Sequence, residues 1–215
     1  MYVKDRMTKD PVSIQADAPI NELIGLIRDK GLKRIPVLDG EKVVGIVTDG
    51  DVEKVSPTKA TTLSVFEINY LLSKMTVKDA MSKKVFTITP DDLIEEAAIE
   101  MRANRISALP VVENGQLVGI VTESDLMDAL IDMLGARVVG TRFVIYTEDK
   151  PGILADVCSE VAKMGGNINH MAVIKYDDKK AADLILRLDT LDAEPIIQRL
   201  ESKGYKITSV IKKRG

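Results

Sequence analysis

The sequence predicts a mixed α/β (α+β) fold in which a duplicated, pseudo-two-fold pair of small units precedes a βαββαβ sheet domain. Three observations predict it. The first fifty residues recur at a fixed offset, each copy carries an apolar run with no polar alternation, and beyond Thr141 the pattern changes to four strands and two helices.

The recurrence is ungapped. Val43-Val44-Gly45-Ile46-Val47-Thr48 returns as Leu117-Val118-Gly119-Ile120-Val121-Thr122, an offset of 119 − 45 = 74. Val3-Lys4-Asp5 answers Val77-Lys78-Asp79, Met7 answers Met81, Pro36-Val37 answers Pro110-Val111, and Asp51 answers Asp125. Eighteen of the fifty pairs between residues 1–50 and 75–124 are identical, which marks a duplication. A unit of this size cannot bury an adequate core alone, so the two copies are expected to pack together.

Each copy reads as strand, helix, strand, strand, short helix. Asp17 and Pro19 open a helix over Ile20 to Lys30. In the second copy Thr89 supplies a capping hydroxyl, Pro90 the first helical position, and Asp91 and Asp92 first-turn acids ahead of Leu93 to Arg102. Ile35-Pro36-Val37-Leu38 and Leu109-Pro110-Val111-Val112 precede turns at Asp39-Gly40 and Asn114-Gly115, a hairpin signal. The following runs, Val43 to Val47 and Leu117 to Val121, are apolar throughout, as strands covered on both faces are. Between the copies, a loop around Pro57 gives way to a helix over Leu63 to Leu72. A further helix through Leu126, Leu130, Ile131 and Leu134 closes at Gly135.

From Thr141 onward the strands are Phe143–Tyr146, Ile168–Tyr176, Asp183–Leu188 and Tyr205–Ile211, with helices over Ile153–Met164 and Ala193–Lys203. Asp177 to Lys180 forms a polar turn. The expected domains are residues 1–60, 61–134 and 141–213.

Composition bounds the function. The 215 residues carry 30 Lys and Arg against 33 Asp and Glu, a net charge of −3. With a pI near 5.4 this argues against a nucleic-acid binder. The single cysteine, Cys158, excludes an intramolecular disulfide, and the opening MYVKDRMTKD lacks an apolar signal core. The expectation is a cytoplasmic protein with no membrane span.

Thr48 with Asp51, and Thr122 with Asp125, stand where a buried strand meets a short helix. Two roles are open to them. A helix start offers free N–H groups to phosphate, and an aspartate three residues on can accept from ribose hydroxyls; alternatively the threonines only cap the helices.

The doubled pattern Gly45-Ile46-Val47-Thr48-Asp49-Gly50-Asp51 and Gly119-Ile120-Val121-Thr122-Glu123-Ser124-Asp125, with the Pro-Val segments, resembles a tandem pair of cystathionine-beta-synthase (CBS) domains, a Bateman module, over residues 1 to 134. The resemblance implies a regulatory pair whose clefts bind adenosyl ligands: AMP, ADP, ATP or S-adenosylmethionine. It places ribose and phosphate contacts on Thr48, Asp51, Thr122 and Asp125, and adenine between side chains and backbone near Ile14, Ile35, Pro36, Ile88, Leu109 and Pro110. It suggests phosphate contacts for Lys33 and Arg34 in one copy and Arg105 in the other, against which stands an ordinary solvated helix end. The copies differ here, with Ala108 opposite Arg34 and Gly31 opposite Arg105.

Glu148-Asp149-Lys150-Pro151-Gly152-Ile153-Leu154 with Gly165-Gly166-Asn167-Ile168 resembles an ACT domain, a ferredoxin-like module that senses small ligands, over residues 141 to 213. The resemblance implies a dimer and an amino-acid site at Asp149, Pro151, Gly152, Ile153, Leu154 and Asn167, although the same loop also serves modules that only dimerise. The CBS-CBS-ACT order is similar to bacterial acetoin-utilisation-type regulatory proteins.

Catalytic constellations are not supplied. Cys158 reads as a buried structural thiol, and His170 as a lone strand histidine. Neither a catalytic residue, a metal site nor a catalytic cofactor is expected. The reading is a non-enzymatic allosteric sensor, a homodimer or higher homo-oligomer, with small-molecule ligands and an unidentified partner protein downstream. The alternative is an interaction module with vestigial nucleotide sites that docks on an enzyme or transporter.

Overall fold

The computed structural model describes residues 1–55, 64–176 and 180–214, and the chain divides into two compact units, Met1–Met127 and Asp128–Gly215. The expected loop at Pro57, Leu63 and the turn at residues 177–179 lie outside the described residues.

In the first unit each repeat contributes a hairpin. β3 (Arg34–Asp39) pairs antiparallel with β4 (Lys42–Thr48), and β5 (Ala108–Glu113) with β6 (Gln116–Thr122). The two-residue loops have left-handed backbone at Gly40, Asn114 and Gly115, the conformation such hairpins require. β2 (Ile14–Gln15) joins β3 in parallel, and β1 (Thr8–Lys9) joins β6. Helices α1 (Ile20–Lys30), α2 (Asp49–Val55), α3 (Val65–Lys74), α4 (Val77–Ala80) and α5 (Ile94–Asn104) complete this unit.

The start of each repeat is bonded to the other repeat. Thr8 pairs with Ile120, and at the matched position Ser82 pairs with Ile46. Val3 N–H donates to the Asp92 carbonyl (2.9 Å), answered by Val77 to Ala18 (3.0 Å). Lys4 donates to Pro90 (3.0 Å), answered by Lys78 to Ala16 (2.9 Å). Ile94 donates to Met1 (3.0 Å), answered by Ile20 to Met75 (3.1 Å). Each of these bonds recurs at the offset of 74, so the exchange is a pseudo-two-fold one; the further bond from Asp10 to Val118 (3.3 Å) belongs to the first copy's segment alone among the described residues. Side chains follow the same rule: a Cβ on Gly45 would overlap the Met81 sulfur, and one on Gly119 the Met7 sulfur.

This exchange corrects one detail. Thr89 and Pro90 do not open α5. Leu93 is the N-cap, and the carbonyls of Pro90 and Asp92 are taken by the amino-terminal segment, so helical geometry begins only at Ile94.

The repeats differ at their first helix ends. α1 ends on Gly31 at φ 63°, and at the matched position α5 ends on Arg105 at φ 54°, both left-handed. A side chain costs about 1 kcal/mol or more in that region.

In the second unit, β7 (Gly140–Glu148), β8 (Ile168–Tyr176), β9 (Ala181–Leu188) and β10 (Lys206–Lys213) form an antiparallel sheet in the order β10-β7-β9-β8. With α7 (Ile153–Lys163) and α8 (Glu194–Ser202) this is the expected βαββαβ order. Phe143, Ile145, Leu186 and Leu188 on one sheet face pack with Val157, Val161, Ile197 and Leu200 of the helices, all at most 5% exposed. α7 and α8 are locked by Glu160, whose side chain is 1% exposed and accepts from Lys163 and Arg199 at 2.7 Å and from Lys203 at 3.3 Å. These bonds hold its carboxyl at about 2, against an ordinary 4.5. Lys203 also reaches Asp156 (2.7 Å), which accepts from the Tyr205 hydroxyl (2.6 Å). Burial and that bond push the Tyr205 phenol up to about 12.

α6 (Glu123–Met133) leads through Leu134 to the open face of this sheet. There Gly135 lies against the His170 ring, and Arg187 Nη1 donates to the Val138 carbonyl at 3.4 Å.

Two outcomes are expected. Gly31→Ala should lower stability by about 1 kcal/mol while Arg105→Gly leaves it equal or higher, read as opposite shifts of a urea midpoint. Because the Glu160 carboxyl is depressed, its stabilisation is complete above pH about 4.5 and is lost as pH falls toward about 2. Glu160→Gln should therefore weaken the fold at neutral pH and flatten its acid unfolding curve across that window. An unchanged curve would show that the network does not control acid stability.

Candidate ligand clefts

Thr48 ends β4 and Asp51 lies in the first turn of α2; Thr122 ends β6 and Asp125 lies in the first turn of α6. In both repeats the pair is bonded to itself. The Thr48 hydroxyl and N–H donate to Asp51 Oδ2 at 2.8 and 3.1 Å, and the Thr122 groups to Asp125 Oδ2 at 2.7 and 2.7 Å. Thr48 also caps α2, its hydroxyl accepting from the Asp51 N–H at 3.2 Å; in both repeats the threonine's own bonds use one oxygen of the carboxylate.

The second oxygens differ. Asp51 Oδ1 accepts from Lys54 at 2.9 Å. Burial pushes the Asp51 carboxyl up, but the bonds from Lys54 and Thr48 outweigh it and hold the group below the usual range. Among the described residues Asp125 Oδ1 has no partner. The position matching Lys54 is Asp128, one turn along α6.

Strand parity sorts the remaining residues. Arg34 is directly opposite Thr48 and Pro36 opposite Ile46, while Ala108 is opposite Thr122 and Pro110 opposite Ile120. Opposite residues share a face, so the prolines face the same way as the threonines. Ile35 points to the other face, into the core with Ile14, Val37 and Val47. Leu109 alternates with Pro110 in the same way and is fully buried, and Ile88 is 6% exposed beside Val111. Of the expected adenine contacts, only Pro36 and Pro110 therefore turn their side chains toward the Thr faces; Ile14, Ile35, Ile88 and Leu109 are core residues beneath. Arg34 crosses between repeats, its Nε donating to Ser107 Oγ at 2.6 Å. Arg105 is exposed at the end of α5.

In the second unit Asp149, Pro151, Gly152, Ile153 and Leu154 line one cleft of about 440 Å³ together with Val173 and Lys175. Gly152 adopts φ 90°, and no side chain caps the N–H groups that begin α7. Asp149 is paired with Lys175 at 2.8 Å. A second cleft of about 700 Å³, toward β10, adds Tyr146, Asp156, Lys203 and Tyr205 to the same loop. Asn167 is elsewhere. It donates to Asp189 at 2.9 Å beside the start of β8, whereas the loop lies beside the end of β8, so one chain does not bring them together.

Sequence reasoning missed Lys54, Ser107 and Lys175. The matched pair Lys54 and Asp128 signalled the first, since they are opposite in charge at equivalent positions. Ser107 and Lys175 had no such sign. Their contacts join Arg34 across the repeats and Asp149 across the sheet. Cys158 lies on α7 and His170 beside Arg187 on the sheet face away from the helices, so they form no dyad. Among the described residues no group of three His, Cys, Asp or Glu is placed to hold a metal, and no helix is long and apolar enough to cross a membrane.

The sequence matches the CBS-domain family over residues 3–57 and 77–132, and the ACT-domain family over residues 141–204. The chain is a CBS-domain protein with a carboxyl-terminal ACT domain. It is 34% identical over 155 residues to protein MJ1426 of Methanocaldococcus jannaschii, covering 61% of this chain and 92% of that one. It is also 34% identical over 126 residues to a homoserine O-acetyltransferase of Methanosalsum zhilinae; there the match covers 58% of this chain but only 23% of the enzyme. Among solved structures, the CBS pair of protein MJ0100 in complex with 5′-methylthioadenosine and S-adenosyl-L-methionine superposes with a TM-score of 0.51 at 27% identity, covering 64% of this chain and 98% of that one. A Vibrio cholerae protein assigned to acetoin utilization (AcuB) gives 0.52 at 27%, with 64% and 95% covered. These are CBS-region likenesses, and the CBS and ACT domains make this a protein of regulatory type.

The self-bonded Thr and Asp pairs predict a cost apart from any ligand. Asp51→Ala and Asp125→Ala should each lower ligand-free stability by about 1 kcal/mol through loss of the cap, visible as a shifted denaturation midpoint.

Proposed function

We propose that this chain is a non-enzymatic ligand sensor whose CBS pair, residues 1–60 and 61–134, binds an adenosyl ligand, AMP, ADP, ATP or S-adenosylmethionine. In the same reading the ACT part, residues 141–213, dimerises, binds an amino acid and is coupled to the pair. The observation that carries it is the pair of threonine and aspartate residues repeated at matched strand ends, with one oxygen of Asp125 open to a ribose hydroxyl. The adenosyl complex of the similar MJ0100 pair supports the ligand class.

Coupling has a candidate element. α6 carries Asp125 in its first turn and continues to Leu134 and Gly135, the residue packed on His170. A ligand acts through such an element only by binding two arrangements with different affinity. Linkage then requires the amino acid to change adenosyl affinity by the same factor as the reverse.

One observation favours docking on a partner as a second reading. Phe66 and Tyr70 on α3 are 87% and 65% exposed, with Leu71 beside them. Partner capture unaffected by added nucleotide would support it.

The deciding experiment is thermal unfolding with each adenosyl compound and each amino acid. At a hundred times Kd a ligand should stabilise the wild type by about 2.7 kcal/mol, and Asp51→Ala with Asp125→Ala should remove that increment. A wild type indifferent to every adenosyl compound would end the sensor reading.

A further inference from the structure

The open face of the sheet in the second unit carries a row of basic side chains. Register sets Arg142 of β7 opposite Arg187 of β9, and His170 of β8 opposite Arg187 on its other side. Opposite residues share a face, and the helix side belongs to Phe143, Leu186 and Leu188, so all three stand on the side away from the helices. Like charges placed directly opposite each other repel. Arg187 is 8% exposed, yet its side chain makes one long bond among the described residues, from Nη1 to the Val138 carbonyl at 3.4 Å. Among those residues two buried side-chain nitrogens have no hydrogen-bond partner, Arg187 Nε and His170 Nδ1, and they are neighbours in this row. Arg142 is half-buried and is in no ion pair among the described residues.

The neighbouring acids are engaged elsewhere. Asp183 on β9 accepts from the Tyr176 hydroxyl, Asp189 just past it from Asn167, and Asp128 and Asp132 on α6 are paired with Arg137. A buried charge is costly unless it is paired. Arg142, Arg187 and His170 line one small cavity with Leu134, Ala172 and Ile185, and its volume of about 10 Å³ admits a single water-sized species. Gly135 lies so close to the imidazole that a Cβ would overlap the ring.

We propose that this row is a halide site: one chloride ion, held by the guanidinium groups of Arg142 and Arg187 and by the Nδ1–H of His170, supplies the counter-charge. Phosphate and carboxylate are too large for the cavity, and a neutral water leaves both guanidinium charges uncompensated. His170 serves as the neutral Nδ1–H tautomer or as the imidazolium, since both donate from Nδ1. The ion offsets the repulsion between β7 and β9 and holds Arg187 where it reaches Val138, so it helps to seat residues 134–138 on the sheet. The site shares no residue with the two clefts beside the Asp149 loop.

The test is native-state hydrogen exchange at the β9 amides of the full chain, at constant ionic strength, as sodium gluconate is replaced by sodium chloride; gluconate does not fit the cavity. One ion bound per chain predicts that each tenfold rise in chloride above its Kd lowers the opening constant tenfold. Arg142→Gln and Arg187→Leu should each abolish that dependence, and either suffices if the other fails to fold. Crystals soaked in bromide should show an anomalous peak between the two guanidinium groups. Exchange that is the same in chloride and gluconate would overturn the proposal and leave the row to water. A chloride dependence that survives the substitutions, or a bromide peak only elsewhere, would overturn it by placing the ion at another site.

Discussion

The fold of the CBS pair depends on one constraint: the first ten residues of each repeat complete the sheet of the other. β1 is bonded to β6, and Ser82 occupies the equivalent place on β4. From Ile14 and Ile88 onward each repeat returns to its own hairpin, beside Val37 and Val111. Neither half can therefore satisfy its backbone alone, and unpaired strand groups buried without partners are costly. The glycines follow from this. Gly45 and Gly119 leave room for the sulfur of the methionine that arrives from the other repeat, so the motif's glycine is a packing requirement before it is a ligand requirement. The same crossing fixes where β4 and β6 end, and so where both Thr and Asp pairs stand.

Symmetry of that kind binds the backbone and leaves the side chains free. The exchange bonds recur at the offset of 74 because each uses a peptide N–H and carbonyl, which substitution does not remove. Side chains on the strand face that bears the threonines are not bound to that symmetry. Arg34 and Ala108 sit at the same place in the same hairpin, opposite the same threonine, and one is a cation while the other is a methyl group. Arg105 shows the reverse case. It replaces the glycine that ends α1 and must hold a left-handed backbone, which is a strain the exposed side chain does nothing to relieve.

Most of the architecture was legible because it rests on local signals. The hairpin turns, the uninterrupted apolar strands and α1 are dictated by neighbouring residues, and α1 spans Ile20 to Lys30 as the pattern predicts. What was not legible depends on partners distant in sequence. Thr89 and Pro90 have the chemistry of a helix start, yet the amino-terminal segment claims the carbonyls of Pro90 and Asp92 and delays the helix. Asn167 resembles a site residue, but antiparallel β8 runs nine residues away from it before reaching the loop of Asp149. Apolar character alone could not say which way Ile35 and Pro36 face; that needed the register with β4, which sends the isoleucine inward and the proline toward Thr48.

The capping pairs make binding and folding share one group without making them rivals. Asp125 Oδ2 is used by the Thr122 cap and Oδ1 is open, so a ribose hydroxyl can be added with no bond broken. At Asp51 the same addition must displace Lys54. An ion pair whose lysine is this exposed contributes roughly 0–1 kcal/mol, so the displacement is a small cost. The two pairs are thus alike in the bonds their threonines donate and unlike in what holds the second carboxylate oxygen, Lys54 in one repeat and no partner among the described residues in the other.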